Sequence, residues 1–429
     1  MRGKRVFIGL RALAIFAVSL LVTSSWAATK WHEKVLHSFG NGLDGTFPTS
    51  GLIFDAAGNL YGTTYRGGSH NYGTVFELTP NGSGGWTSFL LHSFGSDGDG
   101  QQPWAGLIFD AAGNLYGTTL GLDGAAFELM PNGGHQWTET ALYRFGFNGG
   151  PDGQQPWASL VFDASGNLYG TTGEGGSFYV GTAFELTPNG SGSWTETQIY
   201  SFGNGSDGTT PVAGMIFDAS GNLYGTTSAG GTYGFGTVFE LTPNGSGSWT
   251  ETVLYNFGPA PDGQEPLAGL VFDAAGNLYG TTEQGGNLGF PCGTYGCGTV
   301  FELTPNGSGG WTETILHRFG YGTDGLQPLY GSLIFDAAGN LYGTTREGGT
   351  YSTGTVFELM PNGDGSWTET VLYSFGNGMD GFYPFGSLTF DAAGNLYGTT
   401  DAGGTYDLGT VFELTPIHPC IRCSHAGLR

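Results

Sequence analysis

Charge is scarce in this chain of 429 residues. Only 11% of them are Asp, Glu, Lys or Arg, where about a quarter is ordinary. The shortage is sharpest for basic groups: 12 Lys and Arg stand against 36 Asp and Glu. Nucleic acid and anionic membranes are bound through clustered Lys and Arg, so both are excluded as partners. No segment carries the 3.6-residue apolar period of a helix, which excludes helical and α/β folds. There is no phosphate-cradling glycine loop, no His-Glu-x-x-His and no Ser/His/Asp set. Nucleotide-dependent, zinc-protease and serine-hydrolase chemistry therefore have no footing.

Cysteine is also rare, at four residues. Cys292 and Cys297 share one Gly-rich loop, and in an exported protein a disulfide within that loop is the natural expectation. Closing so short a loop stabilises by about 2 kcal/mol at most. Cys420 and Cys423 lie in the tail, 417–429, with no second pair at zinc spacing, so no metal is assigned to them.

Residues 1–27 read as a secretory signal peptide. Arg2, Lys4, Arg5 and Arg11 precede the apolar stretch Ala12–Val22, and Ser25-Trp26-Ala27 is a small-residue cleavage site. The apolar stretch is too short to span a bilayer comfortably. Removing it leaves 8 basic residues against 36 acidic ones, a balance of −28. A secreted or extracellular monomer is expected, with periplasm or cell surface as alternatives.

What the chain has in abundance is repetition. Leu-Tyr-Gly-Thr-Thr begins at Leu60, Leu115, Leu168, Leu223, Leu278, Leu341 and Leu396, in steps of 55, 53, 55, 55, 63 and 55 residues. A fixed period of this length marks an array of units that cannot bury their apolar faces alone. The unit from Met215 to Phe257 shows four strand signals: Met215–Phe217, Leu223–Thr227, Thr237–Leu241 and Trp249–Phe257. Asp218–Asn222 and Pro243-Asn244-Gly245 supply the turns. The last unit lacks its Trp strand, while an unattached one, Trp31–Phe39, stands near the start. That exchange suits a closed ring, in which the early strand completes the last blade and removes open edges. The fold is predicted to be all-β: a seven-bladed β-propeller spanning 28–416, four antiparallel strands per blade.

Loops carry function on such a scaffold. Two of the four connections vary in length, those between second and third strands and those leading each blade, and both emerge on one face. The leading loop carries Asp-Gly-x-x-Pro at Asp44, Asp99, Asp152, Asp207, Asp262, Asp324 and Asp380. Asp97 and Asp99 in one copy hint at calcium, but seven copies fit a turn device better, since calcium wants six to eight oxygens. No cofactor is expected. The seven third-strand Glu residues (Glu77, Glu128, Glu185, Glu240, Glu302, Glu358, Glu413) are read as structural, bonded to strand Thr hydroxyls or exposed at the rim. His37, His92 and His317 alternate with Tyr143, Tyr200, Tyr255 and Tyr373, which marks a packing position.

Residues that break the symmetry say more. After the second strand come Arg66, Glu174, Glu283, Arg346, Glu347 and Asp401. The leading loops add Trp104, Trp157, Tyr330 and Phe385. Trp104, Trp157, Tyr330, Phe385, Arg66, Glu283, Arg346 and Asp401 are the candidate ligand-binding residues, since aromatic rings with a few charges suit sugar stacking or peptide docking. The competing role for the rings is to plug crevices between blades.

With Leu-Tyr-Gly-Thr-Thr, Gly-Thr-Val-Phe-Glu-Leu and Asp-Gly-x-x-Pro in place over about 31–416, the chain resembles the GloVer tandem-repeat family, also called choice-of-anchor repeat proteins. Phe-Asp-x-x-Gly-Asn-Leu-Tyr is also similar to NHL-type propeller repeats. The resemblance implies an exported protein of unassigned activity and carries over no catalytic residue. Two functions are weighed: an exported binding or scaffold propeller recognising a glycan, peptide or protein, and an extracellular polysaccharide lyase or hydrolase on the same scaffold. The second would use Arg66, Arg346, Asp401 or Glu283.

Overall fold

The computed structural model of the protein describes residues 30–417 apart from 96–97, 122–123, 147–151, 191 and 246. The signal-peptide residues, Cys420, Cys423 and Asp97 lie outside the described residues. Within them there is no helix; seven small antiparallel sheets form a ring, a seven-bladed β-propeller.

Blade 1 shows the pattern. Ile53–Phe54 pairs with Leu60–Thr64, which pairs with Thr74–Pro80, which pairs with Trp86–Ser93. The second strand is buried on both faces, so it reads as Leu-Tyr-Gly-Thr-Thr without alternation. Its glycine is obligatory: a Cβ on Gly62 would stand 2.7 Å from the ring of Phe76 and 2.9 Å from Leu52. Blade 7 is closed by the early strand, Lys30–Ser38, whose register against Thr410–Ile417 runs from Lys30↔Ile417 to Ser38↔Thr410.

Three interactions repeat around the ring and join each blade to the next. The second-strand Tyr meets the first-strand Phe of the following blade edge-on, at 5.1–5.2 Å between centroids in all seven junctions; Tyr397–Phe54 closes the circle. The fourth-strand Phe (Phe39, Phe94, Phe145, Phe202, Phe257, Phe319, Phe375) is fully buried. Near the axis, the first Thr of the phrase donates to a carbonyl of the next blade: Thr63 to Ala105, Thr118 to Ala158, Thr171 to Ala213, Thr226 to Ala268, Thr344 to Gly386 and Thr399 to Ser50, at 2.9–3.5 Å. Thr281, at the junction of blades 5 and 6, has no partner for its buried hydroxyl.

The 63-residue step falls at the same junction. Second- and third-strand Thr partners are 17 residues apart in blade 5 and 10 in blade 1, so the Cys292–Cys297 loop holds seven extra residues. The eighth is Tyr330: Pro328 stands eight residues before Asp336, where Pro266 stands seven before Asp273. Cys292 and Cys297 are joined in a disulfide, which lies over Gly320. The equivalent glycines Gly95, Gly203 and Gly376 are covered by Tyr72, Phe178 and Tyr351.

Deleting Lys30–Ser38 strips one edge of blade 7. Loss of a cooperative melt by circular dichroism is expected, with aggregation on size exclusion; an unchanged transition would refute ring closure. A paired substitution reads the axial bonds. Thr226→Val, which removes a bonded hydroxyl, should cost about 1 kcal/mol in chemical unfolding, while Thr281→Val, which removes an orphan, should be neutral or stabilising.

Candidate functional site

The Asp of each leading loop is a clamp on the preceding blade. Its carboxylate accepts from the backbone N–H of the glycine that follows the fourth-strand Phe, as Gly40 to Asp44 (3.1 Å), Gly95 to Asp99 (3.0 Å) and Gly203 to Asp207 (2.9 Å). It also meets the fourth-strand ring: His37, His92 and His317 at 3.0 Å, and Tyr143, Tyr200, Tyr255 and Tyr373 at 2.7–3.0 Å. The alternation of His with Tyr therefore preserves a polar contact as well as packing.

The third-strand Glu residues have a different partner from the one expected. Each accepts from the hydroxyl of the Tyr directly across in the second strand, from Tyr61–Glu77 (3.1 Å) to Tyr397–Glu413 (2.9 Å). Among the described residues, Thr hydroxyls add a bond at Glu77 and Glu302. Cross-strand register, Tyr61 opposite Glu77, decides this.

The symmetry-breaking residues meet at the axis. In every blade the residue before the leading-loop Pro has positive φ: Phe47, Gln102, Gln155, Thr210, Glu265, Gln327 and Tyr383, all at 56–60°. This is an uncommon conformation for such residues and more so before proline. It is held from both sides. The Glu265 N–H donates to Phe235 of the previous blade (3.0 Å), and its carbonyl accepts from Glu283 (3.0 Å) just past the second strand. The same pair of bonds recurs at Phe47 with Leu408 and Tyr65, and at Gln327 with Cys297 and Arg346.

These braces set the register of the segment past the second strand, and the six charged candidates there separate into two kinds. Glu283, Arg346 and Asp401 occupy the first position. Arg66, Glu174 and Glu347 occupy the second, which pairs with the leading loop (Thr46↔Arg66, Gln154↔Glu174, Leu326↔Glu347).

A cup of about 490 Å³ opens at the mouth of the axis, and Trp104, Tyr330, Phe385, Arg66, Glu283, Arg346 and Asp401 all line it, with Phe47, Thr49 and Tyr65. Its floor is aromatic. Trp104 meets Tyr65, Trp157, Tyr330 and Phe385 edge-on at 5.3, 5.3, 5.5 and 5.4 Å, and Tyr330 stacks on Phe385 at 5.1 Å. Trp157 lines a second chamber of about 280 Å³ on the other side of that floor, walled by the axial Gly and Ser residues. So the rings plug the axis and not the crevices between blades, which are filled by sets such as Tyr61, Phe94, Leu107 and Phe127. Glu174 is exposed on its loop and lines neither space.

The charges in the cup are coupled. Burial pushes the Glu283 carboxyl above the usual range, and the charge of Glu265 adds to it, opposed by Arg346. Glu265 is raised by burial too, eased by its hydrogen bond with Glu283, and it accepts Gln284 Nε2 at 2.7 Å. Burial likewise raises Asp401, against the pull of Arg346. Arg346 lies 5.3 Å from the ring centre of Tyr383, and its Nε has no partner. Glu265, Gln327 and Tyr383 were not singled out in the sequence. The signal available was the variable residue before an invariant Pro, whose side-chain direction depends on a φ that spacing does not reveal.

Outside the cup, six Glu residues of the fourth strands (Glu33, Glu139, Glu196, Glu251, Glu313, Glu369) sit in the crevices with carboxyls raised to about 7. Burial is the main cause in each, and the charge of the facing leading-loop Asp adds to it. The unfolded carboxyl titrates near 4.5, so the folded chain holds extra protons between the two values. That stabilisation is complete below the lower value and lost as pH rises through the higher one. The melting temperature should therefore fall between pH 5.5 and 8, and Glu196→Gln/Glu251→Gln should flatten the slope. A melting temperature that climbs over this range would contradict the assignment.

Comparison with known proteins agrees on the architecture. No curated protein sequence matches the chain. The extracellular domain of a proposed hybrid two-component system from Bacteroides thetaiotaomicron superposes with a TM-score of 0.54 at 11% identity, over 89% of this chain and 39% of that one. A proposed 6-phosphogluconolactonase from Bacteroides uniformis gives 0.49 at 14% identity, over 75% and 84%. One from Bacteroides fragilis gives 0.48 at 18%, over 75% and 82%. At 11% identity the first of these speaks to fold alone. The Gloeobacter/Verrucomicrobia repeat matches three times, at residues 22–191, 121–292 and 289–425, and the chain belongs to that repeat family.

Proposed function

We propose that this protein is an exported binding propeller whose axial cup holds a neutral sugar unit of a glycan. The observation that carries the reading is convergence. Seven residues that break the repeat, drawn from blades 1, 2, 5, 6 and 7, line one cup. Its volume falls in the ordinary range for small-ligand sites, roughly 300–1,000 Å³. The apolar face of a pyranose fits against Trp104, Tyr330 and Phe385, and its hydroxyls match the guanidinium and carboxylate groups around them. Arg66 and Arg346 stand against Glu283 and Asp401 in the cup wall, two groups of each sign, which suits an uncharged ligand. Export is supported by the basic and apolar start of the chain, by the Cys292–Cys297 disulfide, and by the extracellular placement of one structural neighbour.

A glycan array followed by titration calorimetry tests this. Neutral glycans should bind, with Trp104→Ala weakening them about tenfold, the equivalent of about 1.4 kcal/mol. Asp401→Asn, which leaves the aromatic floor intact, should also weaken them. Wild-type affinity in both variants, or an empty array, would overturn the reading. Glu283 gives one specific reason to weigh catalysis: a carboxyl whose hold on its proton is strengthened by burial and by the charge of Glu265 is what general acid chemistry on a glycosidic bond calls for. Release of new reducing ends or unsaturated sugars, abolished in Glu283→Gln, would move the protein to the lyase or hydrolase class.

A further inference from the structure

Seven crevices separate the blades, and the repeats make them controls for one another. Between blades 5 and 6 the crevice holds His317 from the fourth strand of blade 5, Asp324 from the loop leading blade 6, and Glu369 from the fourth strand of blade 6. A nitrogen of His317 and one carboxylate oxygen each from Asp324 and Glu369 lie within 4.8 Å of one another. His317 Nε2 is 3.0 Å from Asp324 Oδ2. Asp324 is 8% exposed and anchored by the N–H groups of Gly320 (3.2 Å) and Gly325 (2.6 Å). Glu369 Oε1 is shut off from solvent with no hydrogen-bond partner, as is the same atom of Glu33, Glu139, Glu196, Glu251 and Glu313 in the crevices that hold them.

The other crevices each differ in one part. Four present a Tyr hydroxyl to the Asp in place of imidazole. Between blades 7 and 1, His37 and Asp44 are present, but Ser88 takes the register position that Glu139 holds in blade 2. Between blades 1 and 2, His92, Asp99 and Glu139 recur, yet the charge of Arg144 already bears on Glu139. Blade 6 has Ser374 where blade 2 has Arg144. Among the described residues, the crevice of blades 5 and 6 thus combines one imidazole and two carboxylates with no guanidinium at that position.

We propose that His317, Asp324 and Glu369 form a site for a divalent transition metal, zinc being the best match, that ties blade 5 to blade 6. Imidazole nitrogen and carboxylate oxygen are the ligands zinc takes at about 2.0–2.2 Å, and three of them leave a fourth position for water. The ligand atoms need to close by little more than an ångström, a change within reach of the Glu369 side-chain torsions. Calcium fits poorly, because it asks for six to eight oxygens. A cation here neutralises two carboxylates that face each other and gives Glu369 Oε1 a partner. It also reinforces the junction at which the Thr281 hydroxyl has none.

The test is zinc titration of the chelator-treated full chain by calorimetry, in a Cys420→Ser/Cys423→Ser background so that tail thiols take no part. A melting curve is recorded with and without zinc. One saturable site and a raised melting temperature are expected. His317→Tyr installs the ring that four other crevices already carry, so it should fold, and it should weaken zinc by at least about tenfold. Glu369→Gln should do the same, and His92→Tyr should leave binding unchanged. Wild-type protein that takes up no zinc, or His317→Tyr and Glu369→Gln variants that bind it as wild type does, would overturn the proposal. So would equal loss in His92→Tyr.

Discussion

Nine residues near the start of the chain, hydrogen-bonded along the last blade, are the constraint on which the structure rests. A four-stranded sheet of this size has little core of its own, and it becomes stable by covering both faces. Every blade gains two neighbours only if the first and last meet. The strand Lys30–Ser38 forces that meeting by belonging to the last blade while leading covalently into the first. Phe54 against Tyr397 and Ser50 against Thr399 then repeat, across the seam, contacts made at the other junctions.

Ring symmetry sorts polar residues by role. A group present seven times is used in the same way around the ring, the unpartnered Thr281 excepted. The leading-loop Asp clamps the preceding blade, the third-strand Glu takes the Tyr hydroxyl, and the first Thr of the phrase bridges to the next blade. Identical copies cannot tell one side of the axis from another. A ligand on the axis is asymmetric, so it needs residues that differ between blades and point inward. Positions about 55 residues apart in sequence become neighbours around the mouth. That is why substitutions scattered across five blades share one cup.

Much of this was legible in the sequence because it depends on period and pattern. The repeat length, the four strand signals and the displaced Trp strand require only counting. Placing Trp104, Tyr330, Phe385, Arg66, Glu283, Arg346 and Asp401 on one face also follows, since loop length marks the variable side. Direction was harder to read. Arg346 and Glu347 are adjacent, yet the first joins the axial bracing and the second the loop pairing, because successive residues of an extended segment face opposite ways. Register there is set by the hydrogen bonds to the positive-φ residue before each Pro, and nothing in Asp-Gly-x-x-Pro announces that φ. Tyr330 was visible as an aromatic but not as an added residue, since the long Cys292–Cys297 loop nearby absorbs most of the length difference.

The departures from symmetry are concentrated at the junction of blades 5 and 6. There the chain carries its longest loop, its disulfide in place of a covering aromatic, an extra ring on the axis and an orphaned Thr hydroxyl. In an open array such a junction would be where the molecule parts, because each interface alone holds the units on either side of it. In a closed ring, opening one junction frees nothing: both blades remain bound through the other six. Closure therefore lets one interface lose a hydrogen bond, about 1 kcal/mol, without loss of the fold. Tyr330, the added residue of this junction, forms part of the floor of the cup, so the interface that departs most from symmetry also shapes the mouth of the axis.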